Sequence, residues 1–488
     1  MGIVVDQSIK NTIITYIGFG IGAANALFMY THFLGKTYYG LTGFLLSASN
    51  IIMPLMAFGV HNTLVKFYSS YKSEAEKSQF LSFMLVLPLI LIIPISTIGY
   101  LFYDKIAGLL SRVNPITYDY IWLIPIIGLC MGYFEIFYAW VKVHMKSVFG
   151  NFVKEVFLRI LISIFLFAVY LKVISPKEFI YSLVGIYFVA MLTMMFFALR
   201  IKMPAITYNF PSDKRAVFTY SIFIILAGSV SNLLLDIDKV MLNQYLHIDN
   251  IAYYSVVIFI ATVIAVPSRA MHQITYPITA KLMAEGKHDE LNALYKKSSI
   301  TLQVIGGFVL LGILINIHSL YDLMPKEYSG GIFVVFAIGI SKYFDLILGN
   351  NNAIIFNSIY YRTVLFLGLF LGVVAIGLNM LFIPIYKIDG SAIATLIAVT
   401  LYVLAKLMFV VFKMNLFPFT KQTIYSLVIS ILLFFVFYYW EFNFHPLLNI
   451  LLKSILFSIM YGYLNYRFKI STDINDVING LIMRVRKS

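Results

Sequence analysis

Residues 80–102, "FLSFMLVLPLILIIPISTIGYLF", form an apolar run that contains no charged residue. Crossing about 30 Å of hydrocarbon takes about 20 apolar residues. The composition of the whole chain agrees, because 61% of its 488 residues are hydrophobic, 12% are charged and the mean hydropathy is +0.88. The runs show no alternation of the barrel type, and only helices or closed barrels satisfy their backbone in lipid. The sequence predicts an all-α integral membrane protein.

Fourteen such runs follow one another, each bounded by charges, Pro, Gly or Asn. The first run follows a single lysine, Lys10, and is too long for a signal-peptide core, so we expect it to remain as the first span. The predicted spans are 11–34, 40–62, 80–102, 119–141, 152–172, 178–199, 217–245, 251–273, 298–317, 330–350, 361–383, 390–412, 422–440 and 446–465.

The distribution of Lys and Arg predicts the orientation, since loops rich in these residues stay in the cytoplasm. With the N-terminus inside, the inner loops and tails hold 23 of the 36 cations and the outer loops hold 7. Both termini are therefore predicted to be cytoplasmic. The formal net charge of +14 is then mainly a topology signal that faces anionic membrane lipids, and it does not indicate a nucleic-acid partner.

Motifs for catalysis or for bound cofactors are missing from the sequence. The single cysteine, Cys130, lies in the fourth span and has no partner for an internal disulfide. There is no metal-ligand spacing, no Gly-rich phosphate loop and no nucleophile motif. The outer loops are too short for a folded catalytic domain, so we predict a protein that is not an enzyme and holds no metal or cofactor.

An internal repeat relates the two halves at an offset of about 214 residues. It places 38–54 over 252–267 and 64–80 over 276–294. Because six spans separate the copies, the repeats are parallel, as in one of the two transporter plans. The predicted parts are an N-lobe at 1–200, a cytoplasmic linker at 201–215, a C-lobe at 216–412, and 413–488 with spans thirteen and fourteen and the tail.

Two loop motifs resemble a known family. The stretch "YPITAKLMAEGKHDELNALYKKS" (276–298) and the turn "FLGKTYYG" (33–40) are similar to loops of the multidrug/oligosaccharidyl-lipid/polysaccharide exporter superfamily. The resemblance to its polysaccharide branch implies a V-shaped, two-lobed flippase that moves undecaprenyl-pyrophosphate-linked oligosaccharide outward across a bacterial inner membrane. It also implies polysaccharide polymerase or export machinery as partners, and coupling to H⁺, to Na⁺ or to the membrane potential.

Three alternatives stay open from the sequence. Lipid II flippases of the superfamily carry arginines in spans one, two and eight, whereas here only span eight has one, Arg269, and spans one and two offer His32 and His61. A drug exporter of the superfamily usually has twelve spans. A glycosyltransferase or polymerase acting on the same lipid carrier would need large outer loops.

Ionisable residues inside spans are costly and tend to face a wet cavity or one another. Four cations are candidates to hold a pyrophosphate, and one carboxylate, Glu135, is a candidate proton carrier. Lys342 and Asp345 are three residues apart and could instead neutralise each other, while Arg269 and Lys406 could reach the inner headgroups. The cavity candidates are Arg159, Arg269, Lys342, Lys406 and Glu135.

Span seven contains the unusual stretch "GSVSNLLLDIDKVMLNQYL" (228–246). Helical spacing puts five polar residues on one face of the helix, and this face is called the polar stripe: Ser229, Asn232, Asp236, Lys239 and Asn243. Asp238 points to the opposite face. Asp236 and Lys239 are expected to neutralise each other, and the stripe is expected to lie in the outer half of the membrane. The candidates for a gate or an ion-coupling site are Asn232, Asp236, Lys239, Asn243 and, in span ten, Asp345.

Overall fold

The computed structural model describes residues 2–204, 214–223, 225, 234–328, 330–442 and 444–485. These residues form helices and connecting turns, and no strand occurs among them. The chain divides into two compact units, one of Met1–Ser255 with Asn379–Lys387 and one of Val256–Leu378 with Ile388–Ser488.

The first unit is built around a buried central helix, which packs on its neighbours through Trp140 and Ile136, both fully buried. Its helices are α1 (Gly2–Ala23), α2 (Gly35–Met56), α3 (Val60–Phe67), α4 (Glu74–Leu101), α5 (Tyr103–Leu110), the central α6 (Leu123–Val143), α7 (Ser147–Phe152), α8 (Leu158–Tyr170), α9 (Pro176–Ile201), α10 (Lys214–Phe223) and α11 (Leu234–Tyr245). Two π-helical segments, Ala24–Leu34 and Val153–Phe157, continue α1 and precede α8.

Local sequence signals fix where these helices begin. Ser73 and Glu76 form a reciprocal capping box that starts α4, and Ser175 with Glu178 does the same for α9. Each box satisfies backbone donors that the first helical turn leaves without partners. Gly35 has φ +73° and separates the first two spans, a conformation that glycine adopts without steric cost.

In the second unit, the helices Lys421–Tyr438 and Pro446–Arg467 pack on the long helix His288–Ile315. Phe437, Phe457 and Tyr461 are buried in this contact. The helices of this unit are α12 (Asp249–Thr262, begun in the first unit), α13 (Val266–Ala284), α14 (His288–Ile315), α15 (Ile317–Asp322), α16 (Ile332–Ile347), α17 (Asn351–Asn357), α18 (Tyr361–Met414, which passes through the first unit at 379–387), α19 (Lys421–Tyr438), α20 (Pro446–Arg467) and α21 (Thr472–Val485). A non-helical residue, Lys387, breaks α18.

The chain is a multi-pass membrane protein. Within the described residues, nine helices are long and apolar enough to cross a membrane, or ten if the bent pair α16 and α17 forms one span. Two of the nine, Lys10–Met56 and Arg362–Met414, have 47 and 53 residues, more than twice the length that one crossing requires. Span seven crosses residues outside the described ranges. The count of fourteen spans therefore stays a prediction.

The helix starts agree with the predicted repeat. Gly35 and Asp249 begin α2 and α12, and Glu74 and His288 begin α4 and α14. Both pairs lie 214 positions apart. The same offset that aligns the sequences therefore aligns the helix boundaries.

Candidate functional site

A small polar cavity of about 80 Å³ lies in the second unit, where the chain bends sharply at the end of predicted span ten. Helix α16 ends at Ile347 and α17 starts at Asn351 with its axis bent by 52°. Gly349, at the break, has φ +58°, and an added Cβ would come within 2.6 Å of the Ser299 nitrogen. The break is therefore a close backbone contact that requires glycine.

The most deeply buried cation of this cavity is Lys406, whose side chain is 1% exposed. Its ammonium donates to Asp345 Oδ1 at 2.6 Å and to Asn352 Oδ1 at 3.3 Å, and it lies 4.4 Å from the centre of the Tyr402 ring. The Asp345 side chain is 47% exposed. Lys406 thus forms an ion pair inside the unit, which favours the cavity role over the alternative in which its ammonium reaches the inner headgroups.

The other predicted residues of spans eight and ten lie around this pair. Lys342 lines the cavity together with Ser268 and His272, whereas Arg269 is exposed and is not among the lining residues. The carboxylate of Asp345 forms an ion pair with Lys406 from another span, and Lys342 on its own helix lies within electrostatic range of it. Sequence spacing identified the acid but not its partner. His272 was not among the predicted cavity residues, although it follows Arg269 by three residues.

Arg159 lies in the first unit and is held by its own helix and by α1. Its Nη1 lies 3.0 Å from Glu155 Oε2 and 3.0 Å from the Glu155 carbonyl oxygen. Its guanidinium carbon lies 5.1 Å from the centre of the Phe19 ring. Gly18 provides the space, because a Cβ there would lie 2.7 Å from Arg159 Nη1. The cation is 23% exposed and already has a carboxylate partner.

Glu135 belongs to a second ion pair of the first unit. Lys154 Nζ donates to Glu135 Oε1 at 2.5 Å. Lys142, two turns further along α6, lies 3.8 Å from the centre of the Tyr138 ring and within electrostatic range of Glu135. In the predicted topology both lysines lie at the edge of the membrane, so neither was expected beside this acid. The seven-residue spacing from Glu135 to Lys142, two helical turns, was the sequence signal that could have predicted a lysine near this acid.

The described part of span seven shows no ion pair between Asp236 and Lys239. Asp236 Oδ2 instead accepts from Asn50 Nδ2 at 3.3 Å, while Lys239 lies within electrostatic range of Asp236 and Asp238. The two charges thus lie within electrostatic range of each other, and Asp236 also contacts α2. Ser229 and Asn232 of the predicted stripe lie outside the described residues.

Asp238, which the stripe leaves out, is fully buried. Its carboxylate accepts from the Tyr254 hydroxyl at 2.5 Å and from Asn379 Nδ2 at 2.8 Å. The two donors come from α12 and from the part of α18 that belongs to the first unit. Sequence reasoning missed this residue as a site candidate, because the donors are 16 and 141 positions away.

Asn243 lies near the end of α11, where Asn114 from another loop forms hydrogen bonds with it. Asn114 Nδ2 donates to the backbone oxygen of Asn243 at 2.9 Å and to that of Leu246 at 2.8 Å, and Asn114 Oδ1 accepts from the Ile248 nitrogen at 2.8 Å. Asn243 in turn donates to the Leu110 oxygen at 2.8 Å. Both asparagines are buried.

The motif "FLGKTYYG" packs against the same turn. Thr37 Oγ1 donates to Asp249 Oδ1 at 2.8 Å, and Lys36 Nζ lies 3.7 Å from Asp249 Oδ2. A Cβ on Gly40 would lie 2.1 Å from the Ile248 oxygen, so only glycine permits this approach. Tyr39 stacks on Tyr30 at 4.6 Å. The motif is thus a contact surface for residues 248–249.

The loop motif after α13 forms a different structure. Gly286 turns the chain with φ +68°, and α14 begins at His288. Lys287 lies 3.2 Å from Glu285 and 3.4 Å from Glu290. Its hydrogen bonds to these carboxylates raise the pKa of the Lys287 ammonium above its ordinary value. The motif therefore reverses the chain between two spans.

No group of three or more His, Cys, Asp or Glu residues able to hold a metal occurs in the described part of the chain. Of the predicted site residues, Lys342, Asp345 and Lys406 come together in the second unit. In the first unit Arg159 lies with Glu155, Glu135 lies with Lys154, and the span-seven candidates that the structure describes lie on α11.

Comparisons with known proteins give a fold but not a family assignment. No protein-family model matches the sequence, and no curated protein matches it. Among solved structures, a lipid II flippase MurJ in an inward closed conformation superposes with a TM-score of 0.71 at 16% identity, covering 95% of this chain and 100% of that one.

Multidrug transporters superpose less completely. An inward-facing MATE family transporter of the MOP superfamily gives a TM-score of 0.61 at 13% identity, over 82% of this chain and 97% of its own. The MATE multidrug transporter DinF-BH gives 0.57 at 13% identity, over 86% and 97%. These matches confirm the predicted all-α membrane fold.

Proposed function

We propose that the protein is a flippase that moves an undecaprenyl-pyrophosphate-linked oligosaccharide from the cytoplasmic to the periplasmic leaflet of a bacterial inner membrane. The observation that carries this proposal is the extent of the structural match. The lipid II flippase covers 95% of the chain, whereas the multidrug transporters cover 82–86%. The sequence predicts two spans more than the twelve that drug exporters of the superfamily usually have. This number of spans therefore favours a lipid-linked substrate over a drug.

The charges support an anionic headgroup. Lys342 and Lys406 line one polar cavity of the second unit, beside the bent helix pair α16 and α17, and discontinuous helices line substrate sites in many transporters. Arg159 and Arg269 remain further candidates of the proposal, and Glu135 remains a candidate for proton movement. A pyrophosphate needs such cations to replace its water shell.

The polar contacts at residues 36–37, 114 and 243–249 are proposed as the outer gate. They join three loops that the predicted topology places on the same, periplasmic side, namely 34–40, 102–119 and 245–251. Alternating access requires contacts of this kind to break when the site opens outward. Asp236, through Asn50, belongs to the same set, and Lys239 and Asn232 stay candidates of the gate or of ion coupling.

A lipid II flippase is the second candidate function, because the highest of the three quoted TM-scores belongs to such a protein. The arginine pattern argues against it, since only Arg269 occupies one of the three expected spans. Deleting the gene from the bacterium that encodes it separates the two. We expect surface polysaccharide to disappear and lipid-linked oligosaccharide to accumulate, with growth retained.

Loss of viability together with accumulation of lipid II would instead assign the protein to peptidoglycan synthesis. A change confined to drug tolerance would assign it to drug export. The control is the same deletion complemented by the wild-type gene. Loss of undecaprenyl carrier can also slow growth, so blocking the first glycosyltransferase of the polysaccharide pathway should relieve any secondary defect.

The orientation is tested separately. We expect reporter fusions after residues 72, 146, 208 and 288 to give a cytoplasmic signal, because these loops belong to the side that holds 23 of the 36 cations. Fusions after residues 36, 114 and 248 should give a periplasmic signal. A periplasmic signal from any member of the first group would contradict the proposed topology and, with it, the proposed location of the gate.

A further inference from the structure

We propose that Asp345 is the resident counter-anion of a phosphate subsite in the second unit, and that a phosphate group of the substrate displaces it from Lys406. The inference rests on the proposed function, which supplies a pyrophosphate. It goes beyond that function by assigning an exchange to one ion pair. The empty transporter would then carry its own substitute for the ligand.

The ion pair already neutralises Lys406 in the absence of a substrate. The ammonium is 1% exposed, and Asp345, Asn352 and the Tyr402 ring surround it. A buried ammonium without an anion is strongly unfavourable. Lys406 therefore retains Asp345 until another anion takes its place.

The carboxylate is the accessible partner of the pair. Asp345 is 47% exposed and lines the polar cavity, so an entering anion meets this side chain before it meets Lys406. The exchange needs only a rotation of the Asp345 side chain, while the ammonium stays in place.

A second cation is positioned to receive the displaced carboxylate. Lys342 lines the same cavity and precedes Asp345 by three residues on α16, a spacing at which side chains of opposite charge can pair. Moving Asp345 toward Lys342 leaves Lys406 for the phosphate. The exchange thus leaves neither the carboxylate nor the ammonium without a partner.

The backbone around the cavity is fixed. The Asn350 nitrogen donates to Ser298 Oγ at 3.1 Å, and Ser299 Oγ donates to the Ile347 oxygen at 2.6 Å. Asn350 Nδ2 also donates to Thr279 Oγ1. Because the backbone between α16 and α17 is held by these hydrogen bonds, the phosphate is expected to displace the Asp345 side chain without moving a helix.

Binding of inorganic pyrophosphate to the purified full-length protein in detergent tests the exchange. We expect Asp345→Asn to bind pyrophosphate about tenfold more tightly than wild type, because the ligand no longer competes with a carboxylate at ion-pair distance. Lys406→Gln should lose most of the binding. Lys453→Gln is the matched control, since Lys453 is also 1% exposed but does not line the cavity, and it should bind like wild type.

Two results would overturn the exchange: unchanged binding in Asp345→Asn, or wild-type binding in Lys406→Gln. If Lys406→Gln does not fold, the double variant Asp345→Asn/Lys406→Gln removes both charges, and it should fold yet bind no pyrophosphate. Chloride at equal ionic strength controls for screening. Failure of these assays leaves the deletion phenotype intact, whereas a drug-export phenotype with the expected binding would refute the proposed function alone.

Discussion

Polysaccharide export should fall to the level of a deletion strain when residues 37 and 249 are both replaced by cysteine and joined by a short, reducible thiol cross-linker. In the structure Thr37 Oγ1 lies 2.8 Å from Asp249 Oδ1, so the two thiols are within reach. If this contact belongs to the outer gate, a covalent bond holds the gate closed in every molecule. Export, measured as surface polysaccharide, should return when the linker is reduced.

The variants are made in a Cys130→Ser background, because Cys130 is the only native cysteine. Each single cysteine variant, treated with the same linker, should export at the level of the untreated protein. Export that continues while the double variant is fully cross-linked would show that the contact stays closed throughout transport. Residues 36–37 and 249 would then be a permanent structural joint.

The packing of the motif explains why a cross-link is preferred to a simple substitution. Gly40 approaches the Ile248 oxygen so closely that a Cβ would lie 2.1 Å away, and any side chain there would change the fold of the turn as well as the gate. Thr37→Ala removes one hydrogen bond, worth about 0.5–1.5 kcal/mol. Such a variant is expected to shift the gate only slightly.

The sequence was sufficient for the all-α membrane fold because periodicity and apolar length are local properties. The run at 80–102 became α4, and the repeat offset reproduced the starts of α12 and α14. The motif "FLGKTYYG" was identified from its letters alone, and the structure supplies its reason in the close approach of Gly40 to Ile248.

The partners of the charged residues were not predictable in the same way. Spacing suggests pairs on one helix, such as Lys342 with Asp345 or Asp236 with Lys239. The structure pairs Asp345 with Lys406, which lies 61 positions away. Such partners depend on how the helices pack against one another, and the residue pattern along a single helix does not predict that packing. Arg159 and Glu155, four residues apart, are one pair for which the local rule is correct.

Asp238 is the residue for which the structure most changes the expectation from sequence. Helical spacing placed it opposite the polar stripe, which made it the more tolerant of the two span-seven acids. In the structure its side chain is fully buried and accepts hydrogen bonds from Tyr254 and Asn379, whereas Asp236 is only partly buried, accepts from Asn50 at 3.3 Å and interacts with Ser47. The hydrogen bonds of Asp238 join α11 to α12 and to residue 379.

We therefore expect Asp238→Leu to lower the free energy of unfolding more than Asp236→Leu does. The substitution removes the acceptor of the Asn379 amide and one acceptor of the Tyr254 hydroxyl, both of which are buried, at about 1–3 kcal/mol for each donor left unsatisfied. Asp238→Asn should lie between wild type and Asp238→Leu, because Asn379 can turn its amide oxygen, which has no hydrogen-bond partner among the described residues, toward the new side chain. Unfolding of the purified protein in detergent measures all three. Equal stability of the two leucine variants would show that the carboxylate of Asp238 contributes nothing to joining these helices.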